Sequence, residues 1–421
     1  MRKLFLLSVL LLFTLFINAQ NNSSSNQRLK VFIDCSNTWC DHTFIRTEIN
    51  IVDFLLDNQA ADLHVLITEQ ETGGGGNQYQ LIFFGQNRLK QMADTMRFNT
   101  DPNATDFEER DMLIKYLKLG LTRYIIKVGG GSDIAIEMKT KADEKKKDTS
   151  TTTKDPWNYW VFRLGANGFF SADEVYKTSR LGGNLSANRV TEELKVGFEM
   201  FGGKNRDSYY LEDSTSKQKI VNKNEDYNFS HYLIKSIDDH WSYGYEVALS
   251  RSSFSNNKGR ILFRTGIEYD IFPYKAVNTK FFTISYTVDV RRNSYFDTTL
   301  FDKMKETLWG HAVETNLSFK QKWGTVEFGI DYHNYFHNWK YLNLGVNGEV
   351  DIRITGGLSF NFYAYAELSR DQIYLPKDQA DVTEVLTRRR QIASGYNFFT
   401  HFGLNYRFGS KLNNFVNPRF D

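Results

Sequence analysis

The chain has 421 residues with 52 basic against 50 acidic side chains, and this near balance excludes the basic footprint of a nucleic-acid binder. A mean hydropathy of −0.47 excludes a bundle of membrane-spanning helices, yet 15% of the residues are aromatic. Both values suit a membrane β-barrel, whose polar inward positions dilute the lipid-facing ones and whose interfacial girdles need Tyr, Trp and Phe.

In chain order, Arg2 and Lys3 precede an apolar run that ends at the small residue Ala19, which predicts a signal peptide over residues 1–19. Its apolar core is shorter than the ~20 residues a spanning helix needs, and no cysteine stands at the cleavage point to carry a lipid. Residues 28–140 predict an α/β domain. A strand over 29–34 leads to a helix over 43–57, then a hairpin of 63–68 with 79–84 around the glycine run 73–76, and a short strand over 96–99. A long helix follows, with Asp101 or Thr105 as N-cap and Asp106, Glu108 and Glu109 in its first turns. Leu113, Leu117, Leu121 and Ile125 form its core face. Residues 141–156, rich in charge, Ser and Thr, predict a flexible linker that lets the domain move independently.

From residue 157 to 409 the period changes to two. About twelve strands are expected: 158–170, 178–189, 193–204, 226–236, 241–253, 259–271, 279–292, 309–320, 324–335, 340–354, 357–369 and 395–409. In the tenth, Leu342, Leu344, Val346, Val350, Ile352 and Ile354 alternate with Tyr341, Asn343, Asn347, Glu349, Asp351 and Arg353. Segments of about ten residues with this alternation are what a transmembrane β-strand requires. The even-numbered connections are short, while the long ones, roughly 205–225, 293–308 and 370–394, are the third, seventh and eleventh. This parity puts the amino-terminal domain, the even turns and a tail over 410–421 on one side, expected to be periplasmic. The fold class expected is an α+β periplasmic domain followed by an all-β antiparallel transmembrane β-barrel of about twelve strands.

Few residues suggest chemistry. Cys35 and Cys40 share one short loop, where an exported protein most often makes a disulfide; free thiols, or a metal site with Asp41 and His42, remain open. The glycines 73–76 precede a strand and not a helix, so a hairpin tip is expected there instead of a phosphate cradle. Ser250, Ser252 and Ser253 with His333 and His337 are the ingredients of a barrel enzyme, but no motif unites them. Charges of both signs, including Arg264, Glu268, Asp289, Arg291, Asp351, Arg353, Glu367 and Arg407, are expected to line the lumen as a salt-bridge network, with an aqueous channel as the alternative. In the eleventh connection, Arg388, Arg389 and Arg390 beside Val382, Val385, Leu386 and Ile392 predict a short helix, either on the surface or as a plug in the barrel mouth.

The stretches VFIDC and CDHTFIRTEI (31–49), DPWNYWVF (155–162), RDQIYLP (370–376) and FGSKLNNFVNPRF (408–420) resemble the Bacteroidota family of uncharacterised outer-membrane β-barrel proteins. In element order the amino-terminal domain is similar to the periplasmic domains of TolB and of the curli secretion channel CsgG. The family resemblance implies O-glycosylation at Asp-Ser/Thr motifs, which Thr95, Ser214 and Thr298 match.

The functional expectation is a non-enzymatic outer-membrane protein, embedded in outer-membrane lipid, whose domain over 28–140 docks a periplasmic or outer-membrane protein partner. It would serve as a subunit or accessory of an envelope assembly, secretion or transport complex. A passive small-solute channel is the alternative and a barrel enzyme a third reading. No cofactor, metal or nucleic acid is expected.

Overall fold

The computed structural model describes residues 28–35, 38–135, 155–213, 216–355, 357–377 and 394–409. The expected signal peptide, most of the linker, Ser214, the three arginines 388–390 and the tail 410–421 lie outside these residues.

The amino-terminal part runs β1 (Lys30–Cys35), α1 (His42–Glu48), β2 (Asp53–Phe54), β3 (Leu63–Glu71), β4 (Asn77–Gly85), β5 (Ala93–Asn99) and α2 (Asp106–Lys127). The five strands form one mixed sheet in the order β2-β1-β3-β4-β5, with β1 parallel to its two neighbours and the rest antiparallel. The long helix begins where its sequence says. Thr105 accepts from the Glu108 N–H while the Glu108 carboxylate accepts from the Thr105 N–H, a capping box worth ~1 kcal/mol. Leu113, Leu117, Leu121 and Ile125 are buried against the sheet with Phe83 and Tyr124.

One element differs. The helix expected over 43–57 stops at Glu48, and β2 takes up Asp53 and Phe54 beside β1. Ile49, Val52, Phe54 and Leu55 are all buried, so the same apolar residues reach the core from a turn and a strand as they would from a helix. Periodicity could not separate the two, and the open edge of β1 decided it.

The second part is a run of twelve strands. They are β6 (Trp160–Ala172), β7 (Tyr176–Val190), β8 (Leu194–Asp213), β9 (Ser216–Ser236), β10 (Trp241–Ser252) and β11 (Asn257–Asp270), then β12 (Lys280–Tyr295), β13 (Lys305–Gln321), β14 (Gly324–Tyr335), β15 (Asn338–Arg353), β16 (Leu358–Ser369) and β17 (Tyr396–Tyr406). Each pairs antiparallel with the next, giving one twelve-stranded sheet in strict chain order. Among the described residues β6 and β17 do not pair with each other, so the hydrogen bonds define a sheet with two edges where a closed barrel was expected.

The third connection is also different from its expectation. In place of a loop over 205–225, β8 and β9 continue as a ladder to Asp213↔Ser216. The added pairs, beyond Lys204 and Glu225 at 3.6 Å, place their apolar residues consecutively, Tyr209 to Leu211 on β8 and Ile220 with Val221 on β9, and so show no alternation to read.

One face of the sheet exposes Leu164, Ile261, Phe263, Ile267, Ile284, Tyr286, Phe398 and Phe402. The other buries Ser230, Ser242, Asp289, Asn293 and Ser318. Along β11 the apolar stripe runs from Ile261 to Ile271, ~33 Å of extended chain. On that apolar face Trp241 packs at a tilt against Tyr269 at one end, and His311 gathers Phe336 and Trp339 at the other.

The odd-numbered connections gather at one end. Asn256 donates to the carbonyls of Asp297 and Tyr374, Leu300 N–H donates to Leu375, and Thr299 bridges Pro376. Ile373 of this group packs with Leu308, Tyr335 and Tyr341 in a small apolar cluster. The even turns and the amino-terminal domain occupy the opposite end.

A candidate functional site where domain and sheet meet

Asp34 closes the apolar run of β1 and His64 stands near the start of β3, on the adjacent parallel strand. Their pairing register brings the two together, with His64 Nε2 2.9 Å from Asp34 Oδ2. His64 is 0% exposed and Asp34 3%. Phe32 and Phe84 stand edge-on to the imidazole, at 5.1 and 6.0 Å between centroids.

The second partner of Asp34 comes from the far end of the chain. Arg353, the last residue of β15, donates from Nη1 to Asp34 Oδ2 at 2.6 Å and from Nη2 to Oδ1. Its guanidinium also lies over the Phe32 ring, 5.2 Å from the centroid. The planar fork matches the carboxylate geometry, which a lysine ammonium cannot do. Burial pushes the Asp34 carboxyl up, but the hydrogen bonds from His64 and Arg353 and the charge of Arg353 outweigh it and hold the group below the usual carboxylate range.

Other contacts spread along the sheet. The glycine run 73–76 forms the β3–β4 hairpin tip, with Gly75 at φ +82, and the tip is seated against β6 and β7. A Cβ at Gly73 would lie 2.3 Å from Val190 Cβ, and Arg163 approaches Glu71 at 3.6 Å. Asn278, in the β11–β12 connection, donates to Gln80 at 3.0 Å. Lys322, between β13 and β14, lies 5.5 Å over Phe84. In this structure the domain touches the sheet from β6–β7 to β15.

Two cavities flank the Asp34–Arg353 pair. One of about 900 Å³ lies between α1 and the β15–β17 rim, where His42, Arg46, Arg353 and Arg407 face a single carboxylate, Asp34. The other, about 550 Å³, lies along β14–β17 and carries Glu327, Glu349 and Asp351 beside Asp34 and Arg353. The pair thus separates a basic compartment from an acidic one.

The eight charges expected to form one network are divided. Asp289 pairs with Arg291 at 2.7 Å and His333 at 3.0 Å, near the odd connections. Arg264 approaches Glu314 at 3.9 Å, and Glu268 lines the same cavity of about 470 Å³ with Lys195 and Glu246. Glu367 accepts from Asn343, Tyr365 and Ser369. Asp351, Arg353 and Arg407 belong to the domain junction.

Cys35 and Cys40 are joined by a disulfide. No group of three or more His, Cys, Asp and Glu side chains suited to a metal occurs among the described residues. The serine candidates have other contacts: Ser250 with Asn257, Ser252 with the Ser255 N–H, and Ser253 with Asn224 and Glu225. His333 is held by Asp289 and Arg291, and His337 packs against Tyr335 and Tyr341. Thr95 and Thr298 are exposed, on β5 and in the β12–β13 connection. Asp34 and His64 were missed as site residues, although a carboxylate and an imidazole inside apolar strands are a signal of buried polar partners.

No protein-family model matches the chain, and no curated protein matches it. The Bacteroidota resemblance has no counterpart in these comparisons. Solved structures align with part of it, among them two outer-membrane proteins. A NanC porin aligns at 10% identity over 58% of this chain and 99% of its own, with a TM-score of 0.26. The translocator domain of the autotransporter NalP from Neisseria meningitidis aligns at 9% identity over 59% and 87%, also with a TM-score of 0.26. At that level of likeness, function has to be read from this chain's own geometry. That geometry defines a class: a twelve-stranded antiparallel meander with a small α/β domain seated on its even-turn end.

Proposed function

We propose that the twelve-stranded sheet is the wall of an outer-membrane β-barrel and that the amino-terminal domain is its periplasmic cap. The observation that carries this reading is the spread of the domain's contacts. A body built on a five-stranded sheet touches β6–β7 through Glu71 and Gly73, the β11–β12 turn through Gln80, and β15 through Asp34. One small domain reaching strands from both ends of a twelve-stranded meander is what a sheet curved round on itself allows.

The membrane part rests on the sheet's surface. An apolar face of this extent is costly in water. The stripe on β11, tilted by ~40°, spans ~25 Å, the height of an outer-membrane apolar band. Aromatic groups at both ends suit its two interfaces. Twelve is an even number, so an antiparallel seam between β6 and β17 closes such a wall without a parallel pair.

The protein is then a non-enzymatic envelope component, a subunit or accessory of an assembly, secretion or transport complex, with the capped end as its point of regulation. Planar-bilayer recording tests this. The intact protein should be nearly silent, and Arg353→Ala should raise open probability several-fold. A steady large conductance from the intact protein would end the cap reading and favour a passive channel, for which the charged cavity around Arg264 and Glu268 is the supporting observation.

A further inference from the structure

The apolar face of the sheet changes character where β10–β13 approach the odd-numbered connections. The pairing registers set Met200, Phe229, Leu249, Ile261 and Arg292 in one row across β8–β12. One step nearer that end, Tyr227 stands beside Arg251 and Ser294 beside Lys305. Three bases thus crown the apolar stripe. Arg251, Arg292 and Lys305 line one shallow cavity of about 540 Å³ together with Leu249 and Ile261.

No carboxylate among the described residues lines that cavity. Two acids on the strands around it are committed elsewhere: Glu225 pairs with Lys204 at 3.6 Å, and Glu306 accepts from the Tyr295 hydroxyl on the polar face. A fourth base at the border, Arg260, also belongs to the polar face, where its Nε donates to Asn293 at 3.1 Å. Arg251 lies over the Phe296 ring, 4.8 Å from the centroid, a contact that holds the guanidinium without cancelling its charge. Among the described residues Arg251, Arg292 and Lys305 form no ion pair. Gly259 of β11 stands between β10 and β12, and a Cβ built there would meet no atom within 4 Å. The ground between Arg251 and Arg292 is therefore open.

We infer that this corner of the apolar face binds a phosphorylated membrane lipid. Arg251, Arg292 and Lys305 meet its headgroup, and its acyl chains lie along the rows below. Two guanidinium forks and an ammonium suit the several acceptor oxygens of a phosphate. Neighbouring strands are ~4.8 Å apart, so the bases on β10, β12 and β13 span ~14 Å, the breadth of a lipid headgroup and not of a lone anion. Below them Leu249, Ile261 and Phe263 are exposed in a continuous apolar strip. Acyl chains gain from that strip, and a soluble phosphate gains nothing from it. The inference rests on the reading of the sheet as a membrane wall, and it puts the lipid in the leaflet farther from the amino-terminal domain.

Native mass spectrometry of the full protein, released from a neutral detergent, tests it with dioleoyl phosphatidic acid, dioleoyl phosphatidylcholine and inorganic phosphate as probes. Phosphatidic acid should reach half-occupancy at a concentration about tenfold below that of phosphatidylcholine, and an excess of inorganic phosphate should not displace it. The double variant Arg251→Gln/Arg292→Gln should raise that concentration about tenfold, while Arg251→Lys/Arg292→Lys keeps most of the affinity. Lys340→Gln, which removes an exposed base near the same end but outside the cavity, should change nothing. Equal binding of phosphatidylcholine, displacement by inorganic phosphate, an unaffected glutamine double variant, or an equal loss from Lys340→Gln overturns the inference. Flotation of the same preparations with carbonate-washed phosphatidylcholine vesicles reports membrane insertion. Protein that floats without a lipid preference removes the lipid site alone, whereas protein that fails to float removes the barrel reading and the site with it.

Discussion

Arg353 and Asp34 are 319 residues apart in sequence and face each other through two parallel N–H···O bonds, one at 2.6 Å. Arg353 ends a strand of the large sheet, and Asp34 is the penultimate residue of a strand of the small one. Their pairing ties two separately folded parts at a point that is nine-tenths buried on the Asp34 side.

Removing one partner is the sharpest test of that tie. Arg353→Ala leaves a buried carboxylate with His64 alone, and the loss should be about 2–3 kcal/mol of docking free energy, below the ~3–5 of a fully buried pair because Arg353 is 29% exposed. Arg353→Lys should recover only part of it, since an ammonium cannot bind both oxygens. Hydrogen exchange in β1 and β3 reads the effect. Unchanged protection in both variants would mean the tie contributes nothing.

The same pair makes docking acid-sensitive. Asp34 is held below its ordinary range when folded, so its contribution is complete above the unfolded value of ~3.9 and is lost as pH falls through the depressed folded value. Docking followed by hydrogen-exchange protection in β1 and β3, corrected for the intrinsic exchange rate at each pH, should be constant from pH 8 to 5 and decline below about 4. Asp34→Asn should be weaker throughout and flat across that range.

Gly73 gives a steric test independent of charge. Its Cβ position lies 2.3 Å from Val190 Cβ, and Val190 ends a paired strand that has little room to move. Gly73→Val should displace the hairpin tip and raise proteolysis around residues 71–77 several-fold. Gly74→Ala, with only the Thr72 hydroxyl at 3.8 Å, should leave it unchanged.

Inside the domain, Gly120 lets α2 lie against Phe83, whose Cζ would be 2.1 Å from an added Cβ. Gly120→Leu should cost about 1–3 kcal/mol by overpacking and lower the domain's unfolding midpoint. A thermal unfolding curve that did not move would contradict this contact.

Much of the fold is legible in the residues. Alternation located all twelve strands, because side chains on opposite faces of a strand meet opposite surroundings. The Thr105 cap and the Leu113 to Ile125 face located α2 for the same reason. Alternation failed where apolar residues stand next to one another, as Tyr209 to Leu211 and Ile220 with Val221 do in the outer half of β8 and β9. The helix expected over 43–57 failed where Ile49, Val52, Phe54 and Leu55 suit a core from either conformation. The candidate site was half visible: Arg353 and Arg407 stood out as charges on the polar face, but nothing in the pattern paired them with Asp34, His42 or Arg46.

By itself the sequence determined where the twelve strands of the large sheet lie, apart from the outer ends of β8 and β9, which face of each is apolar, and that the even turns lie together with the domain. These follow from local periods of two and 3.6 and from connection length. Only the tertiary structure decided that the domain is seated on the sheet, that Asp34 takes Arg353 as its partner, and that four basic side chains share one cavity. Pairings across 319 residues carry no periodic signature, since they depend on where two independently patterned surfaces come to rest against each other.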